Sequence, residues 1–275
     1  MSGFSIEWLN LREVSDHKAR DKHLLKNAVD WLNNLQAKDR VIVDLGSGTG
    51  STIRCLQSFT TQLPSIQWRL VDNDPEVLAE AADRHSNDYS IESFLVDLSK
   101  TQKLPLDSVS MITASALFDL VSENFIQELC QLVKGKNDYR PVGLYSALNY
   151  DGCIKWTPAH PLDAAILLNF NTDQRRDKGF GPALGPDASN FLQSQFNVTK
   201  FQCLSANSPW LLESDDYLLT ESLINGISEV ALQTDGLTNS DVLSWKAFRI
   251  KNIKTGSCFL GHTDILVLPQ SFASG

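Results

Sequence analysis

Cysteine is scarce and scattered in this 275-residue chain. The five cysteines, Cys55, Cys130, Cys153, Cys203 and Cys258, include no Cys-x-x-Cys pair, and no histidine stands near them at a metal-ligand spacing. An odd number of unclustered cysteines is typical of reduced thiols, not of a disulfide scaffold or a structural zinc site. The sequence therefore predicts a cytoplasmic protein without a bound metal.

Long apolar runs and dense basic runs are missing as well. The opening Met-Ser-Gly-Phe-Ser-Ile-Glu has no apolar signal-peptide core, and no apolar run approaches the roughly 20 residues of a membrane-spanning helix. The formal net charge is −9. A protein that grips several phosphates needs a basic face, so this charge argues against a nucleic-acid partner. We expect a small-molecule substrate and no membrane partner; the sequence gives no oligomeric state.

The composition that remains is that of an average globular protein, with 42% hydrophobic and 21% charged residues. At this length the chain can bury a sizeable core. It contains no internal repeat and no linker of biased composition. We therefore predict a single domain over residues 1–275.

Short apolar segments alternate with amphipathic ones through the first half of the chain. Apolar segments without period-two alternation indicate strands that are buried on both faces, as in a parallel sheet covered by helices. Strands that alternate with helices specify an α/β fold. The predicted strands are residues 40–45, 67–72, 91–96, 109–114 and 141–148.

The two flanks of this region follow other patterns. Apolar residues at helical spacing over 15–35 predict one leading helix, and we assign residues 1–38 to an N-terminal helical cap. After Tyr150 the alternation stops, and residues 151–195 are predicted to be inserted loops and helices on the substrate side. The last predicted elements are strands at 200–204 and 258–268 and helices at 219–231 and 241–250.

A glycine-rich turn directly follows the first predicted strand. Glycines at a strand-to-helix turn let a ligand approach the backbone and expose amides at the helix N-terminus. The dinucleotide fingerprint spaces its glycines G-x-G-x-x-G, whereas the spacing here is G-x-G-x-G, preceded by an acidic residue. The segment reads Asp44-Leu45-Gly46-Ser47-Gly48-Thr49-Gly50.

This segment resembles the first motif of class I S-adenosylmethionine-dependent methyltransferases. The resemblance is clear over residues 40–150 and looser beyond. It implies a doubly wound, mostly parallel, seven-stranded Rossmann-like sheet with an antiparallel closing strand. It also implies S-adenosyl-L-methionine as cofactor, with the carboxylate of Asp44 and the loop residues Gly46, Ser47, Gly48 and Gly50 facing its methionine amine and carboxylate.

The same resemblance predicts acidic residues at the ends of the next two strands, and both positions are filled. Asp72, with Asn73 beside it, follows the second strand and is implied to accept hydrogen bonds from the ribose hydroxyls. Asp97 and the backbone of Leu98 follow the third strand and are implied to contact the adenine. Open α/β sheets bind ligands at this edge. Ser115, after the fourth strand, is a further cofactor candidate.

Near the N-terminus, Asp16 and Arg20 stand at i,i+4 on the predicted leading helix. Such a pair is either a surface ion pair of a few tenths of a kcal/mol or part of a cap over the donor. In the second case Arg12 or Arg20 reaches the donor's carboxylate. The Leu-Arg-Glu opening and an Arg-Asp-Lys-Gly-Phe-Gly stretch resemble a group of bacterial methyltransferases and indicate no acceptor.

The acceptor side is constrained first by absences. The Asn/Asp-Pro-Pro-Tyr/Phe motif that holds planar exocyclic amines is missing after the fourth strand, and so is a Pro-Cys nucleophile. Transfer to an O or N atom of a small molecule is the leading prediction. Asp119, Tyr150 and His160 are the candidate catalytic residues, and Asn149 is a candidate substrate ligand; each could equally be a turn or cap residue.

The Gly/Pro-rich loop over 175–186 is the remaining substrate-side signal. Long loops in compact domains are often functional, and Arg175 and Lys178 predict a wall that faces a polar or anionic acceptor. A solvated connector is the alternative. At the level of the whole chain, a module that binds the donor without transfer, or an aminopropyltransferase-like enzyme, also stays open.

Overall fold

The computed structural model describes residues 4–59, 66–137, 141–196 and 200–270. Its strands are β1 (Val41–Leu45), β2 (Gln67–Asp72), β3 (Ser90–Leu95), β4 (Met111–Ser115), β5 (Gly143–Thr157), β6 (Phe201–Asn207), β7 (Trp210–Leu212) and β8 (Ser257–Pro269). Its helices are α1 (Ile6–Ala19), α2 (Lys22–Asn33), α3 (Ser51–Gln57), α4 (Pro75–His85), α5 (Glu123–Asn137), α6 (Asp163–Gln174), α7 (Ala188–Phe196), α8 (Tyr217–Leu232) and α9 (Asn239–Lys251).

The strands form one sheet in the order β3-β2-β1-β4-β5-β8-β6, and β7 pairs with β8 off this path. Strands β1 to β5 pair in parallel, whereas β8 runs antiparallel to both β5 and β6. This order confirms the predicted fold class, a doubly wound and mostly parallel sheet with an antiparallel closing strand. The short β7 is an addition that the sequence pattern did not predict.

Burial explains why the first strand reads as a continuous apolar run. Val43 packs into a core with α5 and α7, while the adjacent Ile42 packs into a second core with α2, α3 and α4. All five residues of β1 are buried. A strand that is covered on both faces therefore has no solvent side on which polar residues could alternate.

The predicted single leading helix over 15–35 is wrong, because two helices occupy this region. The backbone of Arg20 leaves the helical conformation at φ −54° and ψ 135°. The side chain of Asp21 then caps α2 by accepting a hydrogen bond from the Leu24 N–H at 2.8 Å. The Asp at this break is thus a new helix start, which the apolar spacing alone did not indicate.

Strand β5 is much longer than predicted and builds a lobe beyond the sheet together with β8, whose bounds lie within one residue of the predicted 258–268. The predicted strand 141–148 continues to Thr157, with register shifts between Ser146 and Asn149 and between Tyr150 and Ile154. The extension pairs with β8, which also pairs with β7. A third core joins this ribbon to α6, α8 and α9 and includes Trp210, Trp245 and Ile154.

The site lies at the edge where the parallel strands end. The turn after β1 and the residues that follow β2 and β4 meet there, while β5 continues past this edge into the lobe. Helix α1 contacts β7 and α8 of the lobe. Within the described ranges, no helix is long and apolar enough to cross a membrane, and no group of three or more His, Cys, Asp and Glu side chains could hold a metal ion.

Candidate functional site

The turn after β1 adopts a conformation that requires glycine. Gly46, Gly48 and Gly50 have φ values of 63°, 51° and 79°, in the left-handed region that side chains disfavour. The N–H groups of Gly46 and Ser47 both donate to the carbonyl of Val71, at 2.8 and 3.1 Å. The loop is therefore folded back onto the end of β2.

Asp72 is bound to this loop through its carboxylate. Oδ2 accepts a hydrogen bond from the Gly48 N–H at 2.9 Å, and Oδ1 accepts from the N–H groups of Asn73 and Asp74 at 2.8 and 3.2 Å. Burial raises the pKa of Asp72, partly offset by these backbone donors. The carboxylate is thus held in one orientation. Oδ1 already accepts two hydrogen bonds and Oδ2 accepts one, so Oδ2 keeps a free lone pair, and the side chain lines the adjoining cavity.

A cavity of about 280 Å³ extends from the glycine turn across the ends of β2, β3 and β4. The residues of α1 and Phe4 form one wall, and residues 178–180 form another. Its wall includes Phe4, Leu9, Arg12, Asp16, Gly46, Ser47, Gly48, Thr49, Ser51, Thr52, Asp72, Asn73, Asp74, Val77, Asp97, Leu98, Ser115, Ala116, Leu117, Leu120, Lys178, Gly179 and Phe180.

The cavity end near β3 combines an exposed carboxylate with apolar walls. Oδ1 of Asp97 accepts a hydrogen bond from the Ser99 N–H at 3.0 Å, and the hydrogen bonds from Ser99 lower the pKa of Asp97. Leu98 is buried, and Val77 stands on the same wall. A flat apolar ring with a polar edge fits such a slot.

Asp44 and Arg20 are both buried, and neither is among the residues that line the cavity. Oδ1 of Asp44 accepts from the Thr113 hydroxyl at 2.6 Å, and Nη2 of Arg20 donates to Ser115 Oγ at 3.0 Å. Burial raises the pKa of Asp44 to about 6, against the hydrogen bond from Thr113 and the charge of Arg20. Among the described residues, Asp44 Oδ2, Ser47 Oγ, and Nε and Nη1 of Arg20 have no hydrogen-bond partner.

Helix α1 contributes an ion pair to the cavity wall that differs from the expected one. Asp16 pairs with Arg12 and not with Arg20: Nε and Nη2 of Arg12 donate to its two oxygens at 2.8 and 3.1 Å. The indole N–H of Trp210 donates to Asp16 Oδ1 at 2.9 Å, and the Arg12 guanidinium stacks 5.1 Å from the Trp210 ring centre. The Arg12–Asp16 ion pair is largely buried, unlike the exposed Asp16–Arg20 pair considered in the sequence analysis.

The candidate catalytic residues do not converge on the cavity wall. The Tyr150 hydroxyl donates to Asn171 Oδ1 at 2.8 Å, and burial raises its pKa well above the ordinary range. His160 packs against Phe248 at 4.8 Å between ring centres, in the lobe. Neither lines the cavity. Their placement gives no support to a role as a base.

Asp119 and Asn149 are both buried, and neither lines the cavity. Burial raises the pKa of Asp119 to about 6, and among the described residues its Oδ1 has no partner. The Asn149 amide donates to Ser146 Oγ and to the Thr263 carbonyl, which ties β5 to β8. The side-chain amide of Asn149 is therefore used in hydrogen bonds within the sheet. Asp119 Oδ1, in contrast, can still accept a hydrogen bond or bind a proton.

The loop over 175–181 reaches the cavity with only part of its predicted residues. Lys178, Gly179 and Phe180 line it. Arg175 instead pairs with Asp187 at 2.7 Å on the surface. Both Arg176 and Lys178 pair with Asp173, at 3.3 and 2.7 Å. The expected cationic wall is thus neutralised by its own acids, and Arg175 is not part of the cavity.

Several wall residues were not among the sequence candidates. Leu9 covers Gly48, where an added Cβ would stand 3.2 Å from Leu9 Cδ1. Phe180 packs edge-on against Phe125 at 5.3 Å. Trp210 supports the Arg12–Asp16 pair from the unpredicted β7. The i,i+4 spacing of Arg12 and Asp16 was a readable signal, whereas Trp210 and Phe180 depend on chain packing that no local pattern encodes.

Comparison with known proteins adds structural neighbours and no family. A scan against models of known protein families finds no match, and a search of curated proteins finds none. Among solved structures, the cyclopropane synthase MmaA2 from Mycobacterium tuberculosis is similar at 12% identity and TM-score 0.48, over 96% of this chain and 94% of that one.

Two further solved structures are similar at the same level. Haemonchus contortus phosphoethanolamine N-methyltransferase 2 shows 12% identity and TM-score 0.43, over 89% of this chain and 52% of that one. A geranyl diphosphate methyltransferase shows 10% identity and TM-score 0.41, over 89% and 76%. Similarity this low carries no conclusion about the reaction. The strand order and the residues of the cavity have to support the function.

Proposed function

We propose that this chain is an S-adenosylmethionine-dependent methyltransferase acting on an O or N atom of a small polar molecule. The observation that carries the proposal is the bond between Gly48 N–H and Asp72 Oδ2, at 2.9 Å, in the floor of a cavity that also reaches Asp97. This hydrogen bond fixes the glycine turn against the carboxylate to which we assign the ribose hydroxyls.

The residues present fit the donor along the length of the cavity. Asp72 would accept from the ribose hydroxyls, and Asp97 with the Leu98 backbone would bind the adenine edge beside Val77. The methionine end is zwitterionic, and two buried groups with unpartnered atoms carry both signs, Asp44 Oδ2 and the guanidinium of Arg20. Neither lines the cavity, and Arg20 reaches its wall through the hydrogen bond to Ser115. Burying such groups unpaired is costly unless a ligand satisfies them.

When bound, the donor supplies an electrophilic methyl group on its sulfonium. Methyl transfer is an in-line displacement, so the protein contributes mainly the position and orientation of the two reactants. Helix α1 and residues 178–180 contribute to the walls of the cavity and would limit the access of water to bound reactants. An amine acceptor that arrives unprotonated needs no base. Asp119 is a buried carboxyl whose pKa is raised to about 6, but it does not line the cavity, so we assign no base for a hydroxyl acceptor.

For the acceptor, the structure favours a polar molecule over a strongly anionic one. Lys178 and Arg12 are the cations on the cavity wall, and each is already paired with a carboxylate, Asp173 and Asp16. A cavity of about 280 Å³ suits a small molecule better than a protein or nucleic-acid chain. The predicted anion-binding role of Arg175 is not part of this proposal.

Methyl-labelled donor tests the proposal directly. The protein is incubated with labelled S-adenosylmethionine and a cell extract, and the label is measured in the low-molecular-mass, protein and nucleic-acid fractions. Label in small molecules, with release of S-adenosylhomocysteine, is the expected result. Donor binding without any transfer would leave the binding-module alternative. Release of methylthioadenosine would indicate transfer of the donor's aminocarboxypropyl group, or of an aminopropyl group where the extract has first decarboxylated the donor.

A further inference from the structure

Arg54, on α3 behind the glycine turn, connects three segments of the chain. Its Nε and Nη2 donate to the two carboxylate oxygens of Glu13 on α1, at 2.5 and 2.6 Å. Nη1 donates to the Thr49 carbonyl at 2.6 Å and to His85 Nε2 at 2.8 Å, and Nη2 also reaches Thr49 Oγ1 at 3.1 Å. Arg54 itself does not line the cavity.

The partners of Arg54 belong to the two sides of the cavity. Thr49 is part of the glycine turn and lines the floor. Glu13 belongs to α1, whose residues Leu9, Arg12 and Asp16 form the opposite wall. His17, one turn along α1, adds a weaker tie from Nε2 to the Ser51 carbonyl at 3.2 Å. Arg54 is therefore the charged link by which the floor holds the wall.

We propose that Arg54 is a positioning residue that locks α1 over the bound donor by joining Glu13 to the backbone of the glycine turn. The inference rests on the proposed donor site. It explains why an arginine stands here, since only its planar fork can bind a carboxylate with two N–H groups and still donate to a carbonyl beside it. A lysine offers one point charge at that place.

The link predicts coupling in both directions. A donor that orders the glycine turn fixes the Thr49 carbonyl, which fixes Arg54 and through it Glu13 and α1. By thermodynamic linkage, whatever holds α1 closed must raise donor affinity by the same factor. Loss of the fork lowers the closed fraction, and the apparent affinity falls with that fraction.

The test compares Glu13→Gln and Arg54→Lys with the wild type and with Lys18→Gln. Lys18 lies exposed on the same helix and serves as the matched control. Calorimetry with S-adenosylhomocysteine measures affinity, and amide hydrogen exchange measures protection of residues 6–19 with and without that ligand. We expect both variants to bind at least tenfold more weakly and to lose the ligand-induced protection, while Lys18→Gln matches the wild type.

A merely structural ion pair gives a different result. In that case Glu13→Gln lowers the melting temperature but keeps both the affinity and the ligand-induced protection of α1, and the inference is overturned. Glu13→Gln leaves α3 and the turn unchanged, so it decides the question even where Arg54→Lys fails to fold. A wild type that does not bind S-adenosylhomocysteine overturns the proposed function itself, which is a separate outcome.

Discussion

The two sides of the cavity satisfy their polar groups in opposite ways. On the donor side, buried atoms of Asp44, Ser47 and Arg20 have no partner among the described residues. On the opposite side, Arg12 is paired with Asp16, and Lys178 with Asp173. Buried groups around the glycine turn are therefore left without partners among the described residues, whereas the two cations of the cavity wall, Arg12 and Lys178, are already neutralised by carboxylates of the chain.

This difference explains what each side reveals about its ligand. A buried polar group without a partner costs free energy. The charge and position of such groups therefore indicate which ligand groups would pair with them. Ion pairs within the chain can exchange one partner for many different polar molecules, so they do not indicate which molecule binds. The donor can therefore be argued from this structure, and the acceptor only by class.

The largest loss of affinity for S-adenosylhomocysteine is expected from the substitution Gly48→Val. Gly48 has φ 51°, and a Cβ there would stand 3.2 Å from Leu9 Cδ1, so a β-branched side chain strains the turn and pushes α1 away. We expect affinity for S-adenosylhomocysteine to fall about a hundredfold, about 2.7 kcal/mol. Gly135→Ala on α5, where a Cβ meets nothing within 4 Å, is the control. Equal affinities in the two variants would remove the turn from the site.

The next largest effect is expected from Asp72→Asn. The amide keeps the size of the side chain but loses the charge and one acceptor, and it places an NH₂ against the N–H of Gly48 or of Asn73. Calorimetry should show donor affinity reduced at least tenfold, about 1.4 kcal/mol. Asp83→Asn, on the exposed face of α4, should bind as the wild type does. Wild-type affinity in Asp72→Asn would contradict the ribose assignment.

The titration of Asp44 tests whether a buried carboxylate with an unpartnered oxygen lowers the free energy of unfolding of the ligand-free protein. Its folded pKa of about 6 lies above the ordinary 3.8, so between these values the folded state binds the extra proton. The contribution of Asp44 to stability therefore falls as pH rises through about 6, by about 1 kcal/mol between pH 5 and 7.5.

The neutral variant Asp44→Asn lacks this titration. Urea unfolding of the ligand-free protein at both pH values should show the variant gaining about 1 kcal/mol relative to the wild type at the higher pH. The comparison between variant and wild type cancels the titration of the buried histidines. A constant difference at the two pH values would mean that the pKa of Asp44 is not raised in the folded protein, so that Asp44 is ionised at both pH values as it is in the unfolded chain.

The residues around the glycine turn could be predicted from the sequence because the signals that mark them are local. The spacing of Gly46, Gly48 and Gly50 encodes a turn, and the carboxylates of Asp72 and Asp97 follow predicted strands directly. The four strands β1 to β4 were predicted within two residues of their bounds. Parallel strands all end at one edge, so knowing the strand ends was enough to bring these residues together.

The opposite side could not be reached in the same way. Its wall depends on the extension of β5 to Thr157, on β7, and on the break at Arg20, each fixed by pairing or packing with distant segments. Arg175 and Lys178 are three residues apart in sequence, yet one pairs with Asp187 on the surface and the other lines the cavity. Charge pattern alone could not separate them.

That pair supplies the smallest and most discriminating prediction. Arg175 and Asp187 form an exposed ion pair, and such pairs contribute little because water and salt screen them. Arg175→Gln should change the free energy of unfolding by less than about 0.5 kcal/mol and leave methyl transfer within about twofold of the wild type. Lys178→Gln removes a cation from the wall itself, and it should raise the acceptor KM about threefold, about 0.7 kcal/mol, with donor affinity unchanged. Parallel kinetics of the two variants with one acceptor measure this contrast. Equal effects of the two substitutions would show that the loop acts through its overall fold or charge, and that the Lys178 side chain makes no separate contact with the acceptor.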